Sequence, residues 1–122
     1  MGNEQVAVEE VVFLSEQLME SCEDDRELAR EVIEDFRETT PLRLSRLATA
    51  VAAGETVGVR LEAHSLKGSA RTIGAEAFAE VAHLLEKAGS SGDLSNVSAL
   101  LAEAHLRLYA LNAALTAYLA KG

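Results

Sequence analysis

The sequence has no tryptophan, one cysteine, one proline and only three phenylalanines and two tyrosines in 122 positions. Strands favour aromatic and β-branched residues, so this scarcity argues against an all-β fold, and abundant Ala, Leu and Glu favour helix. A lone Cys22 cannot close an intrachain disulfide, and no Cys or His stands at zinc-finger spacing, so no oxidising compartment is needed. No apolar run approaches the ~18 residues of a membrane span. The N-terminus lacks the basic and apolar regions of an export signal. Gly2 is no myristoylation signal, since that motif places Ser or Thr where Val6 stands. The expectation is a cytoplasmic chain without membrane attachment, and its length leaves room for one domain spanning 1–122 and excludes a multidomain enzyme.

Positive charge is also scarce. Eleven Lys and Arg face twenty Asp and Glu, a net charge of −9 that repels phosphate backbones and argues against a nucleic-acid partner. The imbalance is uneven. Residues 1–38 hold thirteen acids and three bases, whereas residues 39–71 hold two acids and five bases. A basic island in an acidic chain points to something anionic being handled there.

What is plentiful is helical periodicity. Val8, Val11, Val12, Ser15, Leu18, Met19 and Cys22 step by three and four, predicting a first helix over 5–22. Asp24 and Asp25 supply a cap for a second, with inward residues Ala29, Ile33, Phe36, Thr40, Leu44, Leu47 and Val51. That phase continues past Pro41, which predicts a kink and not a break, and Gly54 ends the helix. Thr56 is the expected cap of a third helix running to Ile73, with Val59, Ala63, Leu66, Ala70 and Ile73 inward and Gly74 as its stop. A fourth, over 75–88, turns Phe78, Val81, Leu85 and Ala88 inward and stops at the loop-like Gly89-Ser90-Ser91-Gly92. The fifth follows Asp93 and runs almost to the C-terminus, burying Leu101, Ala104, Leu108, Leu111, Leu115 and Tyr118. Short connections make consecutive helices antiparallel. The expected fold is therefore all-α: an up-down four-helix bundle with an additional N-terminal helix.

On the third helix Arg60, His64, Lys67, Gly68 and Arg71 also recur at helical spacing, predicting a shared face opposite the apolar stripe. A solvent-facing imidazole in its neutral form offers a ring-nitrogen lone pair as a nucleophile. Lys67, one turn on, can neutralise a phosphoryl group carried there, and Arg60 and Arg71 enlarge the positive field. Gly68 costs roughly 1 kcal/mol inside a helix relative to alanine, so its place beside His64 implies close approach of another molecule or of another helix. A surface histidine, two helix-surface cations or a helix glycine each has an ordinary explanation alone. Together they converge on transient phosphoryl transfer through histidine.

The run Ala63-His64-Ser65-Leu66-Lys67-Gly68-Ser69-Ala70, followed by Ile73-Gly74-Ala75 and by Leu85-Glu86 in the next helix, resembles the signature of histidine-containing phosphotransfer (HPt) domains. Asp25 through Phe36, Pro41 and the Ala52-Ala53-Gly54-Glu55 turn resemble the family's second helix, whereas Gly58 departs from its pattern. The resemblance implies that His64 is phosphorylated, that Lys67 positions and neutralises the phosphoryl group, and that Gly68 keeps the surface open. The partners it implies are response-regulator receiver domains and a hybrid histidine kinase. Sensor-kinase dimerisation helices place an acid directly after the reactive histidine, where this chain has Ser65, and no glycine-rich phosphate loop is present. The expectation is a carrier that is not an enzyme, with no cofactor of its own and with magnesium supplied by the receiver. It is expected to be a monomer and a whole unit, not a piece of a larger kinase. The alternative is a helical adaptor or inhibitor that binds a receiver or kinase without accepting phosphate.

His83, with Glu76, Glu80 and Lys87, reads as solvated on the outer face of the fourth helix, and His105, with Ser98, Ala102, Tyr109 and Asn112, as solvated on the fifth. Glu-x-x-His occurs once, at Glu80 to His83, which argues against a di-metal bundle. Glu23-Asp24-Asp25 reads as capping and solvation rather than a metal site. Cys22 is expected to be buried.

Overall fold

A computed structural model describes residues 11–121, and these form five helices with no strand among them: α1 (Ser15–Ser21), α2 (Arg26–Ala53), α3 (Thr56–Ile73), α4 (Glu76–Ser91) and α5 (Val97–Ala120). α3 packs most closely on α4, α2 on α3, and α4 on α5, while α5 returns to α2 and closes a four-helix bundle. α1 lies against α3 and, to a smaller extent, α2. This is the bundle and additional helix that periodicity predicts.

Local chemistry sets most of the helix ends. The Asp25 carboxylate accepts from the backbone N–H groups of Glu27 at 3.0 Å and Leu28 at 3.1 Å, a cap contributing about 1 kcal/mol. Gly54, Gly74 and Gly92 follow their helices in the left-handed conformation, with φ of 70°, 84° and 81°. α2 runs without interruption through Pro41, as its apolar phase requires.

Several boundaries differ from expectation. Residues 5–10 of the predicted first helix lie outside the described residues, and 11–14 are not helical. Their backbone is engaged elsewhere: the Leu14 N–H donates to the Gly74 carbonyl at 2.8 Å, and the Ala77 N–H donates to the Val11 carbonyl at 2.8 Å. The segment is thus tied to the α3–α4 turn, and a helix there would forfeit both bonds. α3 begins with Thr56 inside the helix and Glu55 as its cap residue, without a side-chain capping bond. Asp93 organises a turn by accepting from the Ser95 N–H at 3.1 Å, so α5 starts only at Val97.

The core combines all five helices: Leu18, Ile33, Leu47, Val59, Leu66, Leu85, Leu111 and Leu115 are all fully buried. Phe36 and Phe78 meet edge-on across it, with ring centroids 6.2 Å apart. Cys22 is buried as expected, and burial, assisted by the nearby Asp25 charge, pushes its thiol pKa up. In α2 the stripe ends on buried Ala50 and not on half-buried Val51. A Cβ on Gly58 would come within 3.2 Å of the Ala50 Cβ, so α2 and α3 meet closely there.

Candidate phosphotransfer site

α3 and α4 pack closely enough to build a side-chain constellation between them. The joint is Gly89, which lies inside α4 and not in the loop its Gly-Ser-Ser-Gly context predicts. It is buried against α3, where a Cβ would stand 2.6 Å from the Arg60 nitrogen and 2.9 Å from its Cα. That contact brings Glu86, one turn earlier on α4, against the middle of α3.

Glu86 bridges two of the predicted residues. One carboxylate oxygen lies 2.9 Å from His64 Nδ1, and the other lies 2.5 Å from Lys67 Nζ. The Glu86 and Lys67 side chains are only 18% and 15% exposed, whereas that of His64 is 66% exposed. The hydrogen bond from Lys67 holds the Glu86 carboxyl below the usual carboxylate range, with further help from His64, although burial pushes the other way. An ionised Glu86 accepts from Nδ1–H, which leaves Nε2 as the nitrogen with the free lone pair. The site therefore presents an oriented, outward-standing imidazole with a cation close by.

Lys67 corrects the expectation of one shared face opposite the core. Four residues advance a helix by about 40° beyond a full turn, so Lys67 stands close to the direction of Ala63, which is buried. It fills the α3–α4 crevice. The pole opposite the apolar stripe is instead occupied by Val57, Leu61 and Gly68, with the two apolar side chains 59% and 52% exposed. A Cβ on Gly68 would meet nothing within 4 Å, so no neighbouring helix requires this glycine. Arg60 is half-buried and Arg71 exposed, and neither forms an ion pair among the described residues. The Arg71 carbonyl accepts from Gln17 Nε2 at 2.6 Å, fastening α1 to the end of α3. Arg43 of α2 reaches Glu62 at 3.4 Å.

Outside the resemblance nothing in the sequence marks Glu86, because spacing along α4 does not say which α3 residues it meets. The other histidines stand apart from this network. His105 is exposed as expected, but His83 is half-buried, and its Nδ1 is buried without a partner among the described residues, which corrects its predicted solvation. Among the described residues no three His, Cys, Asp or Glu side chains gather at metal-binding distance. No helix among them is long and apolar enough to cross a membrane.

A family model for the Hpt domain matches residues 31–120, taking in α3, α4, α5 and most of α2. The chain belongs to the Hpt family. Its fold is that of the histidine-containing phosphotransfer protein B (HptB) from Pseudomonas aeruginosa PAO1, with a TM-score of 0.83, 22% identity, and 90% of this chain and 96% of that one covered. No curated protein matches the chain. Within this Hpt domain the α1–α2 turn and the strap at 11–14 lie outside the family match, while His64, Lys67, Gly68 and Glu86 all fall inside it.

Proposed function

We propose that this Hpt domain is a phosphocarrier of a two-component phosphorelay, taking a phosphoryl group on His64 from a receiver-domain aspartate, or from a histidine-kinase relay, and passing it to another receiver aspartate. The observation that carries the reading is the His64–Glu86–Lys67 constellation: an exposed imidazole whose Nδ1 is engaged at 2.9 Å while a lysine waits beside it. In the forward step the Nε2 lone pair attacks phosphorus and the acyl-phosphate P–O bond breaks, its electron pair leaving with the aspartate carboxylate. Nδ1 keeps its proton throughout. The imidazole thereby gains positive charge, which the Glu86 carboxylate offsets, and Lys67 offsets the phosphoryl oxygens. The reverse step returns the group to a carboxylate.

This chain's contribution is presentation of a nucleophile on a rigid helix. The divalent cation, on this reading magnesium, belongs to the receiver, and the chain needs neither a nucleotide nor a cofactor. Val57, Leu61 and the open surface over Gly68 provide an apolar rim around His64 on which a receiver docks, with Arg60 and Arg71 at its edge. The test is label transfer from a phosphorylated cognate receiver. The parent should become labelled and His64→Gln should not, with the same helical circular dichroism. Equal labelling of the two would remove His64 from the role, and no labelling of either by any cognate receiver would favour an adaptor that binds without accepting phosphate.

A further inference from the structure

The outward face of α5 has an apolar seam of its own. α5 carries one three-and-four repeat inward, through Val97, Leu101, Ala104, Leu108, Leu111, Leu115 and Tyr118, and these are buried or packed on the core. A second repeat, at positions 99, 102, 106, 109, 113, 116 and 120, points away from it, and every member is exposed; all are apolar except Thr116, whose hydroxyl accepts from Arg37 of α2. Leu106 is 67% exposed and Tyr109 81%, the two most exposed large apolar residues among those described. A helix that is apolar all round is ordinarily covered all round. α5 packs on α4 and α2, which leaves this seam on a different side of the bundle from His64.

We propose that the seam is covered by a second copy of the chain, with the two α5 helices antiparallel. Size supports this occupant. Leu106 and Tyr109 are large, while positions 99, 102, 113 and 120 are all alanine. About a two-fold axis between residues 109 and 110, Leu106 of each copy falls on Ala113 of the other, Ala99 on Ala120, and Tyr109 lies at the axis over Ala110. Large thus meets small at the centre of the seam, while toward its ends Ala102 falls on Ala117 and Thr116 on Glu103, so the helices approach closely there. A parallel pair would instead set Leu106 on Leu106 and Tyr109 on Tyr109, with gaps between the alanines.

Charge supports it too. The chain carries −9, so most of its surface repels another copy. The seam itself carries none, and the two charged residues of α5, Glu103 and Arg107, are paired with each other at 2.7 Å. An anionic lipid surface is a poor alternative, because helices that lie on lipid line their polar face with Lys and Arg. A 24-residue helix is about 36 Å long, so a strip roughly one helix diameter wide covers about 400 Å² on each copy. That area places the pair among weak, reversible contacts and not obligate dimers. The proposal departs from the monomer expected from sequence and leaves the His64 face open in both copies.

Sedimentation of the full chain from about 20 µM to about 1 mM tests it, since weak association appears only toward the upper end of that range. The mean mass should climb toward twice the monomer value, and Leu106→Glu should raise the dissociation constant by about tenfold or more with unchanged circular dichroism. Tyr109→Cys should cross-link on mild oxidation and Ala99→Cys should not, while Cys22, only 2% exposed, stays out of the exchange. A mass that stays monomeric throughout, or a Leu106→Glu variant that associates like the parent, would overturn the proposal. Cross-linking through Ala99→Cys instead would overturn the antiparallel arrangement. Dimerisation that appears only after removal of residues 1–10 would assign the face to the chain's own N-terminus, and slower phosphotransfer by a monomeric Leu106→Glu would assign it to a receiver. Either result would also overturn the proposal.

Discussion

Gly68 shows how a single residue separates stability from function. Glycine in a helix interior forgoes roughly 0.5–1 kcal/mol relative to alanine, which protein packing sometimes demands, as Gly89 does in α4. Gly68 has no such excuse, since a Cβ there reaches nothing within 4 Å. Sequence could not choose between close helix packing and an open surface, because both leave the same letter. The structure chooses the second. Gly68→Ala should therefore raise the midpoint of thermal unfolding, by an amount matching up to about 1 kcal/mol. Gly68→Gln, which lays a long side chain beside His64, should slow phosphotransfer from a receiver by on the order of tenfold while the fold stays intact. Destabilisation by the alanine would show that the glycine is needed for packing, and unimpeded transfer by the glutamine variant would show that nothing docks over it.

Among the helices, what could be read in advance follows a physical division. The inward stripe of α3, Val59, Ala63, Leu66, Ala70 and Ile73, is buried as its spacing predicts, because burial of a helix face is written into local periodicity. The start of α1 was not legible. Val11 and Val12 have helical spacing, but the backbone of 11–14 is claimed by the α3–α4 turn sixty or more residues away. α4 was cut short for a related reason: Gly89-Ser90-Ser91-Gly92 has the composition of a loop, yet its first glycine is where two helix backbones touch. His64, Lys67 and Gly68 were visible as a pattern, whereas Glu86 acquires its partners only through that contact. Gly89 is therefore the pivot of the site as well as of the fold. Gly89→Ala forces a methyl group against backbone atoms of Arg60 that cannot rotate aside, and such overpacking costs about 1–3 kcal/mol. Denaturant titration should show that loss, with transfer by the remaining folded protein also slowed because Glu86 is displaced from His64. Unchanged stability would mean that α3 and α4 can separate without penalty.

For the molecule as a whole, acid acts in two opposing ways. The net charge of −9 makes the compact state repel itself, and protonating carboxylates relieves that strain. Glu86 works against this trend. Its folded-state pKa lies below the ordinary carboxylate value, chiefly because Lys67 donates to it, so the unfolded chain takes up a proton at this position more readily than the native one. The resulting stabilisation is complete above the ordinary value of 4.5, is lost progressively as pH falls from there through the depressed folded-state pKa, and is absent below it. Glu86→Gln removes the titration and leaves the other nineteen acids in place. Urea unfolding of both proteins at pH 7, 5, 4 and 3 isolates the effect, since the general relief of repulsion is common to them. The parent should be the more stable at pH 7 and should lose that advantage as pH falls below the ordinary carboxylate value. If the difference between the two stays constant across the range, the bridge from α4 to His64 and Lys67 does not hold the helices together, and the imidazole must owe its orientation to something else.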